Sequence, residues 1–168
     1  MKDEIINRVA NSKLVVVDLE DYYPKAKRTV LDLKDWLYEE LVLREKDFRE
    51  RAAEHDWSQY QDNFVALTCT SDAIVPAWAF MFLTMQLQPY TKKVIIGSLE
   101  QLETSIYQDI IQNLDVQPFT DKSLIIKGCS NKPVPANAYI LLSEKLRPVA
   151  KSIMYGEACS SVPLFKRK

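Results

Sequence analysis

Apolar and polar positions alternate in a regular order along most of the chain. Leu14–Asp18 is β-branched and apolar, the composition of a buried strand. Tyr22-Tyr23-Pro24-Lys25 breaks it as a turn, and Thr29–Leu33 reads as a second strand with partial alternation. Together these two runs predict an N-terminal β-hairpin. Lys2–Ala10 reads as a short helix. Leu33, Leu37, Leu41, Arg44 and Phe48 lie at helical spacing, but Leu41–Leu43 reads equally as a short strand before a helix over Glu45–Glu54, and the latter is favoured, with Glu54-His55-Asp56-Trp57 ending that helix.

From residue 64 the period settles. Phe64–Thr68, Val94–Ile96, Leu124–Ile126 and Ser152–Tyr155 read as strands, with helices predicted over Ala73–Leu87, Leu99–Leu114 and Ala136–Leu146. Leu99, Leu102, Ile106, Ile110, Ile111 and Leu114 form one apolar stripe at helical spacing. Strands that alternate with helices imply parallel pairing through helical crossovers. The expected fold class is α/β, a three-layer sandwich with a mostly parallel sheet and an N-terminal β-hairpin. With no linker-like or low-complexity tract, residues 1–168 are expected to form a single domain.

Composition narrows the function classes. Lys+Arg number 22 against Asp+Glu 23, a formal net charge of -1, so no basic footprint for nucleic acid is present. The basic end Phe165-Lys166-Arg167-Lys168 reads as a solvated terminus. The charge-free stretch Ala73–Thr91 is interrupted by Pro76, Gln86, Gln88 and Pro89 and is too short in its apolar part to span a bilayer. No secretory signal is expected, which makes the cytoplasm the default compartment and keeps thiols reduced. The 73–87 helix is apolar nearly all round through Trp78, Phe80, Met81, Phe82 and Met85. It is expected either to be buried centrally or to bury a second face in a homodimer.

The three cysteines share one phrase. Cys69-Thr70, Cys129-Ser130 and Cys159-Ser160 each precede a Val-Pro step, at Val75-Pro76, Val134-Pro135 and Val162-Pro163. Cys69 and Cys129 close strand-like runs, and Cys159 follows one. In open α/β sheets ligands bind beyond the carboxyl ends of strands. With the lone histidine, His55, the thiols make a Cys3His set. That set suits zinc in tetrahedral geometry and is compatible with an iron–sulfur cluster. Two other readings stay open: thiols that pack as small apolar groups, and a reactive thiol. Cys129 is the candidate nucleophile or sulfur carrier, since Gly128-Cys129-Ser130-Asn131-Lys132 places it among amide donors and a cation. His55 at a helix C-terminus has a plainer role as a cation on the dipole. Thr70, Ser71, Ser130 and Asn131 precede helices and are candidate anion-binding groups. Asp18, Glu20, Asp21, Asp32 and Asp35 crowd the first two strands and read as a solvated acidic face.

Glu4-Ile5-Ile6-Asn7-Arg8-Val9, Asp18-Leu19-Glu20-Asp21-Tyr22-Tyr23-Pro24, Glu54-His55-Asp56-Trp57, Lys127-Gly128-Cys129-Ser130-Asn131-Lys132-Pro133 and Lys151-Ser152-Ile153-Met154-Tyr155-Gly156-Glu157 resemble an uncharacterised domain-of-unknown-function family of small soluble bacterial proteins. The likeness covers nearly the whole chain and brings no established activity. It implies a role beside iron–sulfur cluster or sulfur handling, with iron–sulfur assembly proteins as partners.

Overall fold

The computed structural model describes residues 14–128, 131–157 and 160–168. The expected Lys2–Ala10 helix lies outside them. In chain order the described elements are β1 (Leu14–Val17), β2 (Arg28–Asp32), α1 (Glu45–Glu54), β3 (Phe64–Thr68), α2 (Ala77–Leu87), β4 (Lys93–Ile96), α3 (Leu99–Gln112), β5 (Ser123–Ile126), α4 (Ala136–Leu146), β6 (Ser152–Glu157) and β7 (Ser160–Lys166). The architecture is α/β. The strands form two sheets, ordered β2-β3-β4 and β1-β5-β6-β7, and the chain divides into two compact units, Pro24–Ile106 and Met1–Tyr23 with Tyr107–Lys168.

In the Pro24–Ile106 unit all three strands are parallel, with Arg28 beside Phe64 and Phe64 beside Lys93. Phe64, Val65, Ala66 and Leu67 of the central strand are all buried. This is the apolar run expected of a strand covered on both faces. Leu31, Val65 and Leu67 pack with Phe48 and Ala52 of α1 and with Ala79, Leu83 and Leu87 of α2. The sequence pattern placed the start of α2 at Ala73, but it begins at Ala77. Pro76 is its N-cap, at φ -69 and ψ 146. A proline also drives the residue before it to extended backbone, so the helix cannot reach back across Val75.

In the other unit β1, β5 and β6 are parallel, with Val17 beside Ile126 and Ile126 beside Tyr155. Val17, Leu124 and Ile126 pack with Tyr107, Leu142 and Leu146. β7 lies antiparallel on β6. The end of the chain is therefore not simply solvated: Arg167 donates to Asp121 at 2.6 Å and to the Pro148 carbonyl at 3.0 Å.

The first two strands are present as a strand–turn–strand, but their pairing differs from that of a hairpin. β1 pairs with β5 and β2 with β3, each in parallel. The reason is local. After β1 the Asp18 carboxylate caps a 3-10 turn over Leu19–Tyr22, accepting from the Glu20 NH at 2.9 Å. The chain turns there before any two-residue loop can bring β2 alongside.

The two units are copies of one pattern. The stretch 62–97 matches 121–156 at a constant spacing of 59 residues, from Asp62 and Asp121 to Gly97 and Gly156. Asp62 and Asp121 both take positive φ, 59 and 55. Their NH groups donate to the Tyr90 and Val149 carbonyls, at 2.8 and 2.9 Å. Ala79, Leu83 and Leu87 match Ala138, Leu142 and Leu146, and all six are buried. The Thr84 and Ser143 hydroxyls both donate to the carbonyl four residues back, at 2.8 and 2.7 Å. Phe48 of α1 and Tyr107 of α3, also 59 apart, are both fully buried. β1 and β2 complete the two copies at a spacing of 14, Asp18 and Leu19 matching Asp32 and Leu33. Each copy thus runs strand, helix, strand, helix, strand. In the chain, Pro24–Ile106 stands between β1 and the rest of the first copy.

Candidate functional site

The matched aspartates mark the carboxyl edge of each sheet. In the Pro24–Ile106 unit, Asp32 ends β2 beside Thr68 of β3. Its Oδ1 accepts from the Lys34 NH at 2.9 Å and from the Thr70 NH at 3.1 Å. Its Oδ2 accepts from the Thr70 hydroxyl at 2.5 Å. Burial pushes this carboxyl up, but the Thr70 hydroxyl, the Lys34 and Thr70 NH groups and the Lys34 charge outweigh it and hold it below the ordinary value. One side chain thus fixes both the turn after β2 and the loop after β3.

Cys69 opens that loop. Its thiol is half-buried, packed beside the apolar core of the unit, with Ser71 Oγ at 3.2 Å. Ser71 Oγ in turn accepts from the Ala73 NH at 3.4 Å. The Thr70 and Ser71 hydroxyls, anion-ligand candidates by sequence, are therefore engaged, Thr70 with Asp32 at the end of β2 and Ser71 within its own loop. A carboxylate stands directly beside Thr70.

In the other unit Asp18 plays the matching part with different partners. It accepts from the ammonium of Lys127, just beyond β5, at 2.7 Å. Burial again raises its carboxyl. The Lys127 and Glu20 NH bonds and the charges of Lys127 and Lys132 outweigh that and hold it down. The Lys127 ammonium is pushed up in return, first by its hydrogen bond to Asp18. The Asn131 NH donates to the Glu20 carboxylate, and Lys132 lies 5.5 Å from the Tyr23 ring centre. Asp18 and Asp32, expected on a solvated acidic face, are instead hydrogen-bonded anchors. Cys129, Ser130 and Cys159 lie outside the described residues.

His55 follows α1 and sits among rings. Trp57, Trp36 and Tyr60 lie 4.6, 5.1 and 5.7 Å from it, and the Tyr60 ring stacks on it. Its Nε2 is 3.1 Å from Tyr60 Oη and 3.2 Å from Gln59 Nε2. Burial, then the Arg51 charge, holds the imidazole below its ordinary value against the opposing charge of Asp56. The sequence suggested a cation on a helix dipole. Here, the aromatic surroundings and the neighbouring guanidinium favour the neutral ring. Among the described residues no group of three or more His, Cys, Asp or Glu side chains is placed to hold a metal ion.

The missed signal was in plain view. Two of the three Val-Pro steps, Val75-Pro76 and Val134-Pro135, belong to the 59-residue repeat, whereas Val162-Pro163 falls outside it. At that spacing Cys69 falls opposite Gly128, one residue before Cys129, while Pro76 and Pro135 coincide.

No helix among the described residues is long and apolar enough to cross a membrane. No curated protein and no solved structure matches the chain. A family model does, over residues 3–167, and its description is a protein of unknown function. By sequence and extent, then, the chain belongs to the DUF2480 family.

Proposed function

We propose that the protein is a cytoplasmic accessory protein whose chemistry is carried by the thiols of its strand-end loops. Cys129 and Cys159 of one unit would supply thiolate for zinc or an iron–sulfur cluster, Cys69 and His55 are the candidate thiol and imidazole that the other unit offers separately, and the partners would be iron–sulfur assembly proteins. One observation carries the reading. In sequence both copies carry a Cys-hydroxyl step soon after the strand, Cys69-Thr70 and, shifted by one residue, Cys129-Ser130, although the strand itself has changed from Val65-Ala66-Leu67 to Leu124-Ile125-Ile126. In the second of these units β5 and β6 are neighbours, Ile126 beside Tyr155, and Cys129 and Cys159 follow those residues closely in the chain. Thiolate is the preferred ligand of zinc and of iron–sulfur clusters.

Metal analysis of the native protein tests it. The expected result is stoichiometric zinc or iron, lost on Cys129→Ser. No bound metal, with all three thiols alkylated only after denaturation, overturns it. No metal with one thiol alkylated fast at neutral pH replaces it with a sulfur-carrier or nucleophile role for Cys129.

A second reading, self-association through the 73–87 helix, is favoured by its outer face. Met81 and Met85 of α2 are 66% and 65% exposed, a large apolar surface for one short helix.

A further inference from the structure

Internal duplication supplies a control for that face. The groove between α1 and α2 is lined by Glu45, Arg49, Trp78, Met81, Phe82 and Met85. At the same spacing of 59 the other copy has Thr104, Gln108, Asn137, Ile140, Leu141 and Glu144. Four of those six are polar, so the repeated pattern does not itself call for aromatic and methionine side chains at these positions. The buried side of α2 matches that of α4 through Ala79, Leu83 and Leu87, so the core does not require Met81 or Met85 on the outside.

We propose that this groove receives α2 of a second copy of the chain, an extension that rests on the self-association reading. Charge selects the occupant. Glu45 and Arg49 already pair with each other at 2.9 Å, and the Arg49 guanidinium lies 4.9 Å from the Phe82 ring centre and 5.7 Å from that of Trp78. The groove offers a partner apolar walls and no spare charge. A charged helix seated there would bury an unpaired ion, which is costly. α2 is an apolar helix with no charged residue from Ala77 to Leu87. A two-fold contact is self-complementary, so the groove that receives the partner's α2 belongs to a helix pair that also supplies its own. Methionine side chains are flexible enough to fill such a groove from both sides.

Sedimentation of the purified wild type, of Met81→Glu, of Met85→Glu and of the matched Ile140→Glu tests this. Both methionine positions are exposed, so the variants keep the wild-type circular dichroism. The expected result is a wild-type dimer weakened at least tenfold by Met81→Glu and by Met85→Glu, and unchanged by Ile140→Glu. A dimer untouched by the methionine variants, or one broken equally by Ile140→Glu, overturns the groove assignment and leaves self-association standing. A wild type that is monomeric at ~100 μM, well above the micromolar affinity of even modest interfaces, overturns both.

Discussion

Arg28, at the start of β2, and Glu103, in α3, form a forked ion pair with each side chain only 12% exposed. The guanidinium Nε donates to one carboxylate oxygen and Nη2 to the other, the latter at 3.1 Å. Its Nη1 also donates to the Pro24 and Ala26 carbonyls, at 2.5 and 2.6 Å, and the group lies 5.3 Å from the Phe64 ring centre. This planar, two-point geometry is what arginine provides and lysine does not.

Breaking one side of that pair leaves a charge buried without its partner. Glu103→Leu and Arg28→Met should each cost about 3–5 kcal/mol. The double variant should lose less than the sum of the two, because no orphan charge remains. Urea denaturation of the four proteins as a double-mutant cycle checks this. Additive losses would show that the pair is not coupled.

Two acid transitions should separate in pH. The Asp18 and Asp32 carboxyls are held below their ordinary value. Their contribution is therefore complete above about pH 4 and is lost as pH falls through the lowered values. The His55 imidazole is also held low, so the unfolded chain takes up its proton first. That contribution is complete above the unfolded value of about 6.5 and declines as pH falls below it. Urea midpoints measured from pH 8 to 3 should show both losses. His55→Gln should remove the upper one and Asp32→Asn should reduce the lower one.

Gly97 and Gly156 occupy matched positions at φ 142 and 120 but differ in tolerance. A Cβ on Gly156 would meet the Ser160 backbone carbonyl at 2.5 Å, whereas a Cβ on Gly97 would meet only the flexible end of Gln101. Both alanine variants are strained by the positive φ. Gly156→Ala should be the more damaging, by more than about 1 kcal/mol over Gly97→Ala. Equal urea midpoints for the two would contradict the backbone clash.

Leu83 and Leu142 are each fully buried at matched sites of the two cores. Leu83→Ala and Leu142→Ala should each cost about 2–5 kcal/mol, the transfer loss plus the cavity. Thermal or urea unfolding of both variants measures it. A cost below ~1 kcal/mol at either site would mean that site is not packed as described.

Residue periodicity gave away the strands from Phe64 onward, because each is a short apolar run closed by a polar or glycine step. It also gave α4, one of the two readings that fit α1, and part of the α3 stripe: Leu102, Ile106 and Ile111 are buried, whereas Leu99 is exposed. Sheet membership was another matter. Parallel pairing carries no local mark, and nothing in Leu14–Val17 says that its neighbour is Ser123–Ile126 rather than Arg28–Asp32. β7 was not expected: Pro163 lies within it, which a strand tolerates only at a sheet edge such as the one β7 forms. Of the thiol phrase, Cys69 directly follows β3. By sequence alone the aspartates that organise the strand ends look like surface charge, since only their distant partners, Thr70 and Lys127, identify them as anchors.

The order of segments has a consequence for biosynthesis. Every strand of the Pro24–Ile106 sheet leaves the ribosome in one contiguous run, so that half has all its pairing partners while translation continues. β1 emerges first yet must wait for β5, Leu14 for Ser123, until the whole inserted copy has passed. The nascent chain is thus expected to mature from its middle outward, with β1 held unpaired meanwhile and in need of a chaperone.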